Sequence, residues 1–210
     1  MYDLYTWSTP NGRKISIALE EMELPYTVHT VNIDTGEQFL PAFTKISPNQ
    51  KIPAIVDRET GLSVFESGAI LMYLGDKHGK LFPSEGEPRL RAIEWMMWQM
   101  SAIGPFLGRA HFFLRNNAGK APFAEEWFAG EAQRLYRVLE KQLEKTGWVT
   151  GDYSIVDIAT FPWIARYSWQ RVSLNDFPNV KDWYQRIAAR PAVIKGYSVP
   201  DPKYRIPSPD

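Results

Sequence analysis

The chain has 210 residues, 44% of them hydrophobic and 23% charged, with a formal net charge of zero. That balance is globular rather than disordered or fibrous, and it offers no sequence-wide basic field for nucleic acid or anionic lipid. The cysteine count is zero, which excludes disulfides, thiolate metal sites and any protein thiol nucleophile.

Met1 to Trp7 reads as a strand, and Ser8-Thr9-Pro10-Asn11-Gly12 as a turn that opens a helix. Ile15, Ala18, Leu19 and Met22 then recur at helical spacing. Tyr26 to Ile33 reads as a second strand and Gln38 to Ile46 as a weak helix. Pro53 to Val56 and Leu62 to Phe65 form a hairpin with its turn near Glu59 to Gly61, and Ser67 to Lys77 is a helix. The first part thus runs βαβαββα.

Gly79 to Glu87, rich in Gly, Pro and Glu, reads as a linker. Everything beyond it reads as helical. One long helix is expected from Pro88 to about Arg115, bent at Gly104-Pro105. Further helices are expected over Phe123 to Glu144, Ser154 to Ser168 and Asn179 to Ala189. The proline-rich tail from Pro200 is expected on the surface. The domain expectation is residues 1–79 and 88–210.

Ser154-Ile155-Val156-Asp157 is a capping box, with Tyr153 and Ile158 as its hydrophobic staple. Its role is folding, not chemistry. The N-terminus lacks a basic and apolar leader, and no apolar run is long enough to span a bilayer. A soluble, cytoplasmic protein is expected, with neither a membrane nor a nucleic-acid partner. His29, His78 and His111 are the only histidines and are not at helical spacing, so no metal site is expected.

Three features together resemble the glutathione transferase superfamily. Gln50-Lys51-Ile52-Pro53-Ala54 is similar to the cis-proline loop of thioredoxin-like folds. Phe65-Glu66-Ser67-Gly68-Ala69-Ile70 resembles the γ-glutamyl-binding turn, and the Ser154 to Asp157 box matches a folding motif of the all-helical domain. Thr9-Pro10-Asn11-Gly12, Ile46-Ser47-Pro48-Asn49 and Gly104 to Phe112 resemble the bacterial Nu class, whose members handle disulfides with glutathione as reductant. The resemblance implies a thioredoxin-like α/β domain (βαβαββα) followed by an all-α domain.

The implied co-substrate is glutathione, one or two molecules per site. In thioredoxin-like folds the first turn holds redox cysteines, whereas this chain has Ser8-Thr9-Pro10-Asn11 there. A thiol must therefore arrive with the substrate. A helix N-terminus favours a thiolate, and Thr9 and Asn11 are the catalytic candidates for donating to it. Ser8 is the alternative contact. Glutathione binding is expected from Ile52 through its backbone before Pro53, from Glu66 and Ser67 at the γ-glutamyl end, and from Lys51 and Gln38 at the glycyl end. Arg134 is a further candidate partner for a carboxylate.

Each of these has a plainer reading: Thr9 to Gly12 as a turn with an N-cap, Glu66-Ser67 as a strand end, Lys51 as a loop charge. Phe106, His111, Phe112 and Trp163 are candidates for an apolar co-substrate pocket, with core packing as the plainer reading of each. Tyr5 reads as strand packing. The Met- and Trp-rich run Trp95 to Met100 reads as core or dimer interface, so a homodimer is expected. Disulfides, small thiols and peroxides are the substrate classes. The expected activity is disulfide reduction with some peroxidase activity; conjugation to small electrophiles and non-catalytic binding are the alternatives.

Overall fold

A computed structural model describes residues 1–209. The chain divides into two compact units, one comprising Met1–Ser84 with Ala189–Ile206, the other Glu85–Ala188 with the last residues from Pro207. The first boundary, between Ser84 and Glu85, falls within the Gly79 to Glu87 stretch; residues 189–206, expected with the second domain, group with the first unit.

The first unit is built on a four-stranded sheet in the order β2-β1-β3-β4. Its strands are β1 (Tyr2–Thr6), β2 (Tyr26–Thr30), β3 (Ala54–Asp57) and β4 (Ser63–Phe65). β1 pairs parallel with β2 and antiparallel with β3, which pairs antiparallel with β4. Tyr2, Leu4 and Thr6 are buried and alternate with half-buried residues, the period of a pleated strand. β2 is shorter than its sequence suggests. Val31 N–H makes a last bond to Thr6 C=O, and Asn32 Oδ1 then accepts from Asp34 N–H at 2.9 Å, which turns the chain away.

The helix α1 (Pro10–Glu21) follows β1 directly, with Thr9 as its N-cap and Pro10 at its first position. Gly12 makes the tight entry possible: a Cβ there would lie 2.4 Å from both Thr6 Oγ1 and Trp7 O. The expected weak helix is a 3₁₀ turn (Glu37–Phe39) and a single helical turn, α2 (Pro41–Thr44). α3 (Ser67–His78) follows β4 at once and ends at Gly79, which is left-handed at φ +60°.

In the second unit the long helix expected from Pro88 is interrupted. α4 (Gly86–Trp98) passes into a π-helical turn (Gln99–Ile103), α5 (Gly104–Ala110) and a second π turn (His111–Asn116). Pro105 explains the first interruption, because it has no N–H and its ring crowds the carbonyl four residues back. α6 (Pro122–Thr146), α7 (Ile155–Ile164) and α8 (Pro178–Ala188) complete this unit.

The capping box at α7 forms in full. Ser154 N–H donates to Asp157 Oδ2 at 3.0 Å, and Ser154 Oγ accepts from the first turn. Asp157 is fully buried and also accepts from Val149 N–H at 3.0 Å and Trp183 Nε1 at 2.8 Å, so it ties α7 to α8 and to the preceding loop.

A last helix, α9 (Pro191–Tyr197), belongs to the first unit and packs along α1. Gly196 permits the contact, since a Cβ there would lie 2.6 Å from Ile17 Cα. Ser16 Oγ donates to Gly196 C=O at 2.7 Å, Arg13 Nε to Tyr197 C=O at 3.1 Å, and Arg190 grips Glu21 with two bonds of 2.6 and 2.7 Å. Beyond it, Lys203, Tyr204 and Arg205 are exposed. No helix among the described residues is long and apolar enough to cross a membrane.

Candidate active site

Register brings three turns to one end of the sheet. Tyr5 is opposite Ala54, and Ala54 is opposite Phe65. β1 and β4 leave the sheet just past this row and β3 enters just before it. The Trp7 to Asn11 turn, the Lys51-Ile52-Pro53 loop and the Glu66-Ser67 turn therefore emerge together.

At the first turn Thr9 Oγ accepts from Gly12 N–H at 3.2 Å. A hydroxyl that accepts in this way still has its own hydrogen to donate outward. Asn11 is half-buried on the first helical turn, and that turn contains no acidic side chain. The positive end of the helix dipole is thus not neutralised by its own sequence, which favours an anion there. Tyr5 stacks on His29 with ring centres 4.7 Å apart, as a strand residue packed on its neighbour.

The Ile52-Pro53 peptide is cis, Pro53 is buried, and Ile52 packs on the cluster of Val31, Phe43 and Ala54. The loop before it is held from inside, with buried Ser47 donating to Lys51 C=O at 2.9 Å. Lys51 itself is exposed. Gln38, on the 3₁₀ turn, has its Oε1 buried with no hydrogen-bond partner among the described residues. A buried carbonyl oxygen in that state is an acceptor awaiting an N–H.

Glu66 adopts φ +69°, a conformation unfavourable for a side-chain-bearing residue. It aims Ser67 into the first position of α3. Asn49 Nδ2 donates to Glu66 Oε1 at 3.3 Å, linking the proline loop to the γ-glutamyl-type turn. Ser67 is buried, and its Oγ accepts from Lys14 Nζ at 3.2 Å. Lys14 is itself buried, on the second turn of α1. Burial pulls its pKa down to about 7, while the Glu66 carboxylate works in the opposite direction. Sequence reasoning missed Lys14, Asn49 and Ser47 as parts of this cluster. Only Asn49 and Ser47 had a signal, through the Ile46 to Asn49 motif.

The other candidates belong to the second unit. His111 is buried, stacked on Trp163 and edge-on to Trp169, and its Nε2 faces Gln170 Nε2 at 2.9 Å. The amide nitrogen is a donor, so His111 Nε2 is the acceptor of a neutral ring. Burial first, then the charges of Arg166 and Arg115, lower its pKa to about 3. His111 is thus a buried, neutral ring held by stacking on Trp163 and by Gln170. Trp163 is likewise buried, Phe106 packs against Phe128, and only Phe112 is exposed. Arg134 is exposed and already holds a carboxylate, that of Glu131 one turn earlier at 2.9–3.1 Å.

A thioredoxin-like sheet with a cysteine-free helix N-terminus, a cis-proline loop and an acid-serine turn at one end defines the glutathione-binding class of that fold. Comparison with known proteins agrees. The N-terminal domain of glutathione S-transferases matches residues 1–76 and their C-terminal domain residues 98–191. The chain belongs to the glutathione S-transferase family.

The chain is 46% identical to the disulfide-bond oxidoreductase YfcG of Escherichia coli (strain K12), over 91% of this chain and 92% of that protein. It is 35% identical to the disulfide-bond oxidoreductase YghU of the same organism, over 92% of this chain and 73% of that one. A glutathione transferase from Burkholderia graminis, solved with two glutathione molecules bound per subunit, superimposes with a TM-score of 0.88 at 44% identity. It covers 95% of this chain and 88% of that one. One from Pseudomonas putida, solved with one glutathione disulfide per subunit, gives a TM-score of 0.89 at 38% identity, covering 95% and 91%.

Proposed function

We propose that this protein reduces disulfide bonds with glutathione. The observation that carries this reading is the first turn of α1. It supplies a hydroxyl, an amide and an unneutralised helix N-terminus where redox folds keep cysteine, in a chain with no cysteine at all. Every sulfur in the reaction is then substrate sulfur. Relatives named as disulfide-bond oxidoreductases, and neighbours solved with two glutathiones or with glutathione disulfide, support it.

The residues fit the ligand group by group. Glu66 would accept from the γ-glutamyl ammonium and Ser67 would donate to its carboxylate. The Ile52 backbone would pair with the cysteinyl unit in strand fashion. The orphaned Gln38 oxygen would accept the glycyl-side amide N–H, and Lys51 would stay near the terminal carboxylate. Arg134 would serve a carboxylate only by exchanging Glu131.

Thr9 and Asn11 would hold the sulfur of one substrate glutathione as thiolate. Attack on a substrate disulfide forms one mixed disulfide and expels one thiolate. A second glutathione thiolate then attacks the glutathionyl sulfur, so the net products are two substrate thiols and glutathione disulfide. Alignment of three sulfurs makes positioning a large part of the rate. A hydroperoxide in place of the disulfide gives the peroxidase side activity.

A glutathione-consuming reductase belongs in a reducing compartment, which is the basis for a cytoplasmic reading. A homodimer is also part of the proposal: Leu90 and Met97 expose apolar surface along one face of α4, about two turns apart. Sedimentation as a dimer at micromolar concentration is expected; a monomer would remove this part alone. The activity is tested by parallel kinetics with a disulfide, an organic hydroperoxide and an aryl halide. The disulfide should give the highest kcat/KM. A preference for the aryl halide would favour conjugation, and no turnover with any of the three would favour a binding role.

A further inference from the structure

An edge strand presents a row of backbone donors and acceptors that proteins normally shorten, cover or flank with charge. β2 is an edge strand of the sheet, and β1 is its strand neighbour. Pro25 C=O accepts from Tyr2 N–H at 3.1 Å, and Val31 N–H donates to Thr6 C=O at 3.0 Å. Backbone groups alternate between the two edges of a strand, so Tyr26, Val28 and Thr30 turn theirs away from β1. Val28 and Thr30 are exposed, and β2 contains neither lysine nor proline.

The side chains of these three residues lie on the face of Tyr2, Leu4 and Thr6, because the register sets each opposite one of them. Beside Tyr26 and Val28 the start of α9 completes an open groove of about 880 Å³, with Pro191 and Ala192 in its lining. Of the two carboxylates in the groove, Glu20 is neutralised. Its Oε1 accepts from Tyr26 O–H at 2.7 Å and its Oε2 holds Lys195 Nζ at 2.8 Å. Glu23 is exposed in the left-handed region at φ +59°, and its carboxylate holds no ion pair among the described residues. A strand edge, an apolar lining and one unneutralised negative charge thus lie side by side.

We propose that this groove docks an extended polypeptide as a fifth strand on β2, with apolar side chains on the Val28 face and a lysine or arginine at Glu23, and that the substrate is a disulfide carried by such a polypeptide. The substrate part rests on the glutathione reading above. Backbone pairing supplies affinity in strand addition, and the groove selects the alternate side chains. β1 and β2 run parallel, and Thr30 lies opposite Thr6, just before the Trp7 to Asn11 turn. A strand added to β2 lies about 10 Å from β1, two strand spacings. Its residues beyond Thr30 therefore emerge at the end of the sheet proposed to hold the sulfur. There a glutathione thiolate attacks the glutathionyl sulfur of the polypeptide's mixed disulfide. Glutathione disulfide forms, and the cysteine leaves as a thiolate that takes up the proton the glutathione thiol gave up.

The test uses a blocked peptide of alternating valine and lysine that ends in serine or in cysteine. Calorimetry measures binding of the serine form, and kinetics follow the cysteine form as its mixed disulfide with glutathione. Val28→Pro removes one outward N–H and leaves the β1 ladder intact, as proline on an edge strand does. It should weaken the serine peptide and lower kcat/KM for the cysteine peptide, each by about 10-fold, with the mixed disulfide of glutathione and free cysteine turned over as before. Methylation of alternate peptide nitrogens should weaken binding to the wild type similarly, a readout that stands should Val28→Pro fail to fold. Glutamate in place of the peptide lysines should weaken binding by about 3-fold or more, and Glu23→Lys should reverse that order. No binding to the wild type, or binding indifferent to methylation, would overturn the docking groove. Binding as expected with peptide turnover untouched by Val28→Pro would overturn the substrate assignment. Binding as expected with neither disulfide turned over by the wild type would instead overturn the glutathione reading.

Discussion

Asp157→Ala tests the claim that the Ser154 to Asp157 box builds the fold and does no chemistry. In the wild type one fully buried carboxylate accepts from Ser154 N–H, Val149 N–H and Trp183 Nε1 at 2.8–3.0 Å. Truncation strands these three buried N–H donors, while the Ser154 hydroxyl, which also donates to Asp157 Oδ2 at 3.2 Å, can turn to Thr150 Oγ1 instead. Each costs about 1–3 kcal/mol when left unpaired, so the loss should be about 3–6 kcal/mol after allowing for shared relaxation. Asp157→Asn is the graded control. Its oxygen can keep Val149 and Trp183, but its NH₂ then meets the Ser154 N–H, donor against donor. One stranded donor predicts about 1–3 kcal/mol. The assay is urea unfolding followed by both tryptophan fluorescence and far-UV circular dichroism, because two compact units need not melt together. Glutathione affinity of the folded variants should be unchanged. A Ala variant within about 1 kcal/mol of wild type, or Asn as damaging as Ala, would refute the bond count.

Removal of the donors at the proposed sulfur site, in Thr9→Ala and Asn11→Ala, should lower kcat more than glutathione affinity, by up to about 10²-fold for the pair, as steady-state kinetics would reveal. Thr9→Ala should also lose about 1 kcal/mol of stability in urea unfolding, because Thr9 Oγ caps α1. Glu66→Ala with Ser67→Ala should weaken glutathione by about 1.5–3 kcal/mol per lost charge-assisted bond, and unchanged calorimetric affinity would remove the γ-glutamyl assignment. For Asp57, burial raises the pKa, but bonds from Lys77, Tyr73 and the Glu59 N–H overcome it and bring the carboxyl to about 2. A folded-state value below the unfolded one, about 3.9, contributes stability at higher pH that is lost as pH falls from about 4 toward 2. Asp57→Asn should therefore flatten the fall in stability over that window, and an unchanged acid limb would argue against the network.

Local signals in the sequence carried furthest. The β1-turn-α1 pattern is readable because Thr9, Pro10 and Gly12 each do a job within three residues of one another. The Ser154 box is readable for the same reason. What stayed hidden depends on long separation or on brevity. Lys14 follows Arg13 on what reads as a polar helix face, and nothing local says that both are buried, Arg13 beneath Tyr197 and Lys14 behind Ser67. Asn49 reaches Glu66 across 17 residues, through a pairing that only the β3–β4 register creates. α9 has seven residues, too few to display a helical period, and its evidence is tertiary: a glycine against Ile17 and an arginine on Glu21. For His111 and Trp163 the sequence left pocket lining and core packing open, because aromatic residues look alike in sequence whether they line a cavity or stack on each other; in the structure the two rings are buried and stacked.

The most direct test of the central claim, that the N-terminus of α1 holds a substrate thiol as thiolate, is a spectroscopic titration of glutathione bound to the wild-type protein, read by thiolate absorbance. A free thiol titrates near 8.5, and stabilisation by Thr9, Asn11 and the helix end should bring the bound thiol about two units lower, so that most of it is ionised at neutral pH. A bound thiol that titrates where the free one does, in a protein that turns over disulfides, would contradict the account.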